Sequence, residues 1–296
     1  MRLRDVPAVR TLALLLLVTG TPMLGACVGA RSKDPLAQII DRNTQARGGA
    51  AAIEQAKAVL IRMRIVEPKY TMDGVYRATR GRQMRIDVYM AGTRVYSEGC
   101  DGRRAWDLPA DAAHAEESSA AAAAALWHGL EYPTNLWGLG EVTSRGHHLS
   151  YQGREEMDGI NYHVLQLVLA DGFTTYFYVN PHTWLIERQR DERALHPDAD
   201  AAKKWIEQRF GDYRTVEGRK VAFKEEQFDL RSGALLQTSS ITHTETDPVL
   251  KPDEFAATVA PLRPFSPLPV APSSSPGTGS GVCSLRMCRK RSPLQS

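Results

Sequence analysis

The chain has 296 residues, 43% of them hydrophobic and 24% charged, an ordinary globular composition. Its formal charge of +3 sits at the two ends. Residues 1–27 hold three Arg against one Asp, and residues 261–296 hold five cations and no acid, so the body carries a net −4. A mildly acidic body excludes a nucleic-acid binder, which needs clustered Lys and Arg facing phosphates, and four cysteines do not build a disulfide framework.

The first element is a leader. Arg2, Arg4 and Arg10 precede the uncharged run TLALLLLV at 11–18, and Thr19, Gly20, Thr21 and Pro22 break it. A basic start, a short apolar run and small residues at a cut site are the parts of a secretory signal. The run is well short of the roughly 20 residues a membrane-spanning helix needs. Leu24-Gly25-Ala26-Cys27 resembles a bacterial lipobox. That resemblance implies a lipoprotein signal peptide at 1–26, acylation of Cys27 and a lipidated tether at 27–33. Several acyl chains make attachment stable where one anchors only marginally. An ordinary signal peptide cut after Ala30 is the alternative and would leave a soluble periplasmic protein. Val28 is not the aspartate of inner-membrane retention, so the resemblance favours the outer membrane, facing the periplasm.

Residues 34–47 read as a helix: Asp34 caps, Pro35 occupies the first position, and Leu36, Ile39, Ile40 and Asn43 share a face. Gly48-Gly49 stops it, and a second short helix spans 50–57. From Val59 the period drops to two. Strands are expected at 59–67, 75–80, 83–90 and 93–99, closing with Arg103–Trp106, and again at 143–153, 160–169, 173–179, 184–192, 204–215, 220–230 and 234–244. Turns such as Ala91-Gly92, Asp158-Gly159, Asp171-Gly172 and Glu217-Gly218 separate them. Alternation bounded by X-Gly turns argues for one antiparallel meander, a barrel or strongly curved sheet, and against a parallel α/β fold.

An insertion at 109–140 splits the two strand sets. Its alanine run predicts a helix over 111–128, followed by Leu126, Trp127, Leu130, Leu136, Trp137 and Leu139. It is either a plug that completes the core or a lid over an apolar cavity. After Val259, thirteen of residues 261–280 are Pro, Ser or Gly, so 261–296 read as a disordered basic tail.

Catalytic signatures are missing together: no G-x-S-x-G, H-E-x-x-H, P-loop or dinucleotide fingerprint occurs. His147 and His148 point to opposite faces if they lie on a strand, Cys100 has no nominated base, and Cys283 and Cys288 have no second ligand pair. No catalytic residue, metal ligand or cofactor is assigned, and the reading is non-enzymatic.

Three stretches carry a family resemblance: ARGGAAAIEQAKAVLIRMRI at 46–65, GREEMDGINYHVLQLVLADGFTTYFYVNPHTWLIERQR at 153–190, and FGDYRTVEGRKVAFKEE at 210–226 with DPVLKPDEF at 247–255. In this order they resemble the LolA/LolB-like carriers and receptors of periplasmic lipoproteins. The resemblance covers about 34–258. It implies a mainly β (α+β) domain over 34–260, a strongly curved antiparallel half-barrel of about eleven strands with helices covering the open side. It also implies an apolar interior that accepts acyl chains. The alanine-rich insertion and the tail lie outside the family pattern, so no ligand contact is carried over. Trp106, Leu126, Trp127, Leu130 and Trp137 are nominated for the cavity mouth. The expected function is a lipid-anchored envelope protein that binds a lipid or the acyl chain of a lipoprotein, touches no nucleic acid, and has an envelope protein partner at most. The rivals are a sensor or scaffold with a filled interior and, further off, an envelope hydrolase or its accessory domain.

Overall fold

A computed structural model describes residues 34–257. Cys27, the leader, the tail and Cys283 and Cys288 lie outside the described residues. Helix α1 (Pro35–Ala46) starts as its sequence dictates: the Asp34 carboxylate accepts from the Leu36 amide at 3.0 Å, and Pro35 stands at the first position, where no N–H is needed. It ends at Gly48 and Gly49, with φ of 111° and 93°. At Gly48 a Cβ would lie 2.0 Å from the Gly218 carbonyl oxygen, so no side chain fits where this turn meets the neighbouring hairpin. Helix α2 (Ala50–Gln55) leads into the sheet.

The strands are β1 (Ala58–Val66), β2 (Thr71–Thr79), β3 (Gln83–Met90), β4 (Thr93–Asp101), β5 (Ala105–Pro109), β6 (Glu116–Glu117), β7 (His148–Met157), β8 (Ile160–Val168), β9 (Thr174–Val179), β10 (Ile186–Arg193), β11 (Lys204–Val216), β12 (Arg219–Asp229) and β13 (Leu235–Thr246). They form one antiparallel sheet in the order β6-β5-β4-β3-β2-β1-β13-β12-β11-β10-β9-β8-β7. The meander therefore closes in its middle, where β1 pairs with β13, and stays open between β6 and β7. This is the expected open, curved half-barrel with helices. Among the described residues thirteen strands stand where the family resemblance implies about eleven. One of them, β6, is only two residues long and arises inside the insertion.

The insertion helix α3 (Ala120–Glu131) begins nine residues later than alanine content alone predicts. The Ser119 hydroxyl accepts from the Ala122 amide at 3.2 Å and sets the start, while 116–117 pair with β5. Propensity lost to a capping serine and to a sheet edge. α3 packs against β4 and β5, and at its far end the His128 ring stacks on Phe173 (4.1 Å) and meets the Asp171 carboxylate at 2.7 Å. The helix thus crosses from one edge region of the open sheet to the β8–β9 turn. A 3-10 turn (Leu139–Glu141) follows and packs on α1.

Candidate functional site

The helices cover one face of the sheet. On it, Val59, Ala78, Met84, Cys100 and Ala105 lie directly opposite one another across β1–β5 and join Leu130 and Leu136 of the insertion in one apolar cluster. A second cluster on the same face gathers Ile39, Leu139, Val142, Leu165, Leu167 and Phe177 around α1 and β7–β10. Between the clusters the face is a hollow. On its walls Met63, Tyr76, Ile86 and Val221 pack against the first cluster and Phe210 against the second, and all five remain partly exposed.

The connector from Tyr132 to Trp137 roofs part of this hollow, and arginines hold it by its backbone. Arg47 donates to the carbonyls of Pro133 (3.1 Å), Trp137 (2.6 Å) and Thr134. Arg80 reaches the carbonyls of Leu136, Ile53 and Ala56, and pairs with Glu141 at 2.5 Å. Arg219 donates to the Asn135 carbonyl at 2.9 Å. Trp137 lies between the guanidinium groups of Arg80 (4.2 Å) and Arg145 (3.8 Å), and its indole N–H donates to the Leu130 carbonyl. Guanidinium suits this work, since one planar fork presents five donors to carbonyls that diverge. Burial pushes the Arg47 guanidinium down to about 10, still charged at neutral pH. Beneath 133–135 a cavity of about 30 Å³, lined by Arg47, Ile186, Phe210, Tyr213 and Glu225, has room for about two waters.

The floor of the hollow is not uniformly apolar. Across β10–β13 the register places Gln189, Gln208, Gln227 and Gln237 directly opposite one another, facing the helices. Asp191, fully buried, accepts from Thr175, Gln189 and Arg193. Glu225 sits opposite Phe210 and accepts from Gln208 at 2.9 Å. Burial in the hollow pushes its carboxyl up to about 7. Between its ordinary value of 4.5 and about 7 the folded chain holds a proton that the unfolded chain has released, so stability falls as pH rises through that window. Melting of the wild type between pH 5 and pH 8 should therefore drop relative to Glu225→Gln. The drop is at most about 3 kcal/mol and smaller to the extent that water reaches the carboxyl. Parallel curves for the two proteins would remove Glu225 as the cause.

Of the residues nominated from sequence, Leu130 is buried in the first cluster, and Leu126 and Trp137 pack against it. Trp127, on the same helix, is 37% exposed. Trp106 is not brought to them. Ala105 faces the helices, so its neighbour points to the opposite face. There the Trp106 ring lies against Gly99, where a Cβ would stand 2.7 Å from it, and its indole N–H donates to the Phe255 carbonyl at 3.1 Å. His147 lies just outside β7. Its Nδ1 accepts from the Ala170 amide, so Nε2 carries the proton and donates to Glu131 at 2.9 Å, a structural contact. Burial raises the Cys100 thiol and makes it a poor nucleophile. Among the described residues no three His, Cys, Asp or Glu side chains converge on a metal position, and no helix is long and apolar enough to cross a membrane. The arginine clamps and the glutamine row were not anticipated from sequence.

No family model matches the sequence, and no curated protein matches it. Solved structures match by shape. One described as an outer membrane lipoprotein-sorting protein domain, from Vibrio parahaemolyticus, superposes with a TM-score of 0.51 at 8% identity, over 75% of this chain and 97% of that one. A LolA superfamily protein from Nitrosomonas europaea gives 0.49 at 14% identity over the same shares. A DUF1329 family protein from Desulfovibrio piger gives 0.48 at 13%, again over 75% and 97%. At such identities the likeness is one of fold alone, and it is carried by the Vibrio parahaemolyticus domain.

Proposed function

We propose that this chain is a lipid-anchored protein of the bacterial cell envelope that holds a lipid or an acylated ligand in the hollow of its half-barrel, without catalysis. The anchor in this reading is Cys27, and the protein sits at the outer membrane facing the periplasm. The carrying observation is the set of partly exposed apolar side chains inside the hollow, Met63, Tyr76, Ile86, Phe210 and Val221. In a finished core they would be buried. Covering them with a hydrocarbon chain is favourable by about 0.8 kcal/mol per methylene. The LolA-like fold supports the reading, since the hollow of an open barrel admits ligand where side chains do not fill it.

A second reading, a scaffold that binds a protein partner on its outside, draws on the pinned connector and the small cavity beneath it. Native mass spectrometry of protein prepared without detergent separates the two. Co-purified lipid mass is expected, and a clean apo mass would favour the scaffold. The anchor has its own test. Labelling with a fatty-acid analogue should mark the wild type and not Cys27→Ser, and equal labelling of both would overturn it.

A further inference from the structure

The row of glutamines asks for an explanation that an acyl-chain binder does not supply. On the same face, β1–β5 present Val59, Ala78, Met84, Cys100 and Ala105 in line. On β10–β13 the corresponding line is four primary amides. Each amide has to be hydrogen-bonded, and leaving one buried and unmade costs about 1–3 kcal/mol. Protein groups satisfy part of the set. Gln189 donates to Asp191, Arg193 donates to the Oε1 atoms of Gln208 and Gln227 (3.2 Å each), Gln208 donates to Glu225, and Gln237 donates to the Ser239 hydroxyl. Arg193 fixes which end of Gln227 is oxygen, because a guanidinium cannot donate to an amide nitrogen. The Nε2 group of Gln227 then has no partner among the described residues, nor does the Oε1 of Gln237 beside it on the next strand. Both side chains are partly exposed to the hollow.

We infer that this strip is the polar subsite of the hollow and takes an uncharged hydrogen-bonding group, a hydroxyl or an amide, at the head of a single-chain amphiphile. The inference rests on the lipid-binding reading and adds the class of ligand. A free donor on Gln227 and the free amide end of Gln237, on residues directly opposite each other in neighbouring strands, complement a group that both accepts and donates. An anion is disfavoured, since the cation facing the strip, Arg193, is committed to Asp191 and two glutamines. A fixed cation finds no full counter-charge. Asp191 is already engaged by Arg193, Thr175 and Gln189, and burial holds much of Glu225 neutral near pH 7.

Calorimetric titration of the purified protein with three probes of equal chain length, below their micellar concentrations, tests the idea. The probes are monolauroylglycerol, laurate and dodecyltrimethylammonium. The glyceride should bind at least about tenfold tighter than either charged probe. Gln227→Leu and Gln237→Leu should each weaken it about tenfold, the worth of one or two hydrogen bonds, while leaving laurate unchanged. If one variant fails to fold, the other decides. A charged probe that binds as tightly as the glyceride, or Leu variants indistinguishable from wild type, would overturn the subsite and leave a hollow that binds chains. No binding of any probe would instead remove the lipid-binding reading, and the subsite with it.

Discussion

Arg47→Ala is expected to lower the melting temperature by about 10 °C. The guanidinium is 7% exposed as a residue and serves three carbonyls of the connector, at Pro133, Thr134 and Trp137. Truncation leaves those carbonyls facing a cavity with space for two waters, so water restores only part of the lost bonding. At about 1–3 kcal/mol for each acceptor left short, offset by that water, the net loss is about 3–5 kcal/mol. A domain of this size loses about 2–4 °C per kcal/mol. Arg47→Lys should recover less than half of the loss, because three rotatable ammonium donors on one flexible stem do not span diverging carbonyls as a planar fork does. Calorimetric melting gives the magnitude. Limited proteolysis gives the location: new cleavage should appear between 132 and 141, with the strands resistant. A melting shift under 2 °C, or cleavage spread over the sheet, would show that the connector stands without Arg47.

The strands of this molecule are legible because their signals are local. The 83–90 alternation coincides with β3, and Ala91-Gly92, Asp158-Gly159 and Glu217-Gly218 all adopt the positive φ at both positions that a tight hairpin turn requires. What surrounds the hollow depends on pairing instead. The Arg47 and Arg219 clamps join residues 84–90 positions apart, and the acceptors on the connector are main-chain carbonyls, which every residue carries. No side-chain pattern marks them in advance. The glutamine row exists only once the registers of β10–β13 are known, including the bulges at Ile186/Arg188 and Gln227/Phe228. A bulge reverses which residues face inward, so counting by twos along the sequence cannot align them. Trp106 shows the same limit on a smaller scale. Its strand has five residues, and a one-residue difference in phase decides between the hollow and the outer face.

The outer face carries the other large effect, at Glu207. This carboxylate is 1% exposed and is held by three arginines: Arg188 at 2.9 Å, Arg190 at 2.6 Å and Arg209 at 2.5 Å. The rings of Tyr162, Tyr178 and Phe228 lie beneath those guanidinium groups. Burial alone would raise its pKa, but the hydrogen bonds from Arg209 and Arg190 and the charges around it outweigh that, and the carboxyl lies below its ordinary range. Glu207→Ala strands buried positive charge with no central counter-ion, which costs about 3–5 kcal/mol. Arg209→Ala removes a partner that is 42% exposed and should cost under about 1 kcal/mol. The sign of the pH effect follows from the depressed pKa. The ionised carboxylate contributes fully above its ordinary value of 4.5, and the contribution is lost as pH falls through the lower folded value. Wild type should therefore lose more stability between pH 7 and pH 3 than Glu207→Gln does, when both are followed by denaturant melts. If the two proteins lose the same amount, protonation of Glu207 is not what acid attacks. If Glu207→Ala melts with wild type, the three arginines find sufficient solvation on the open face without it.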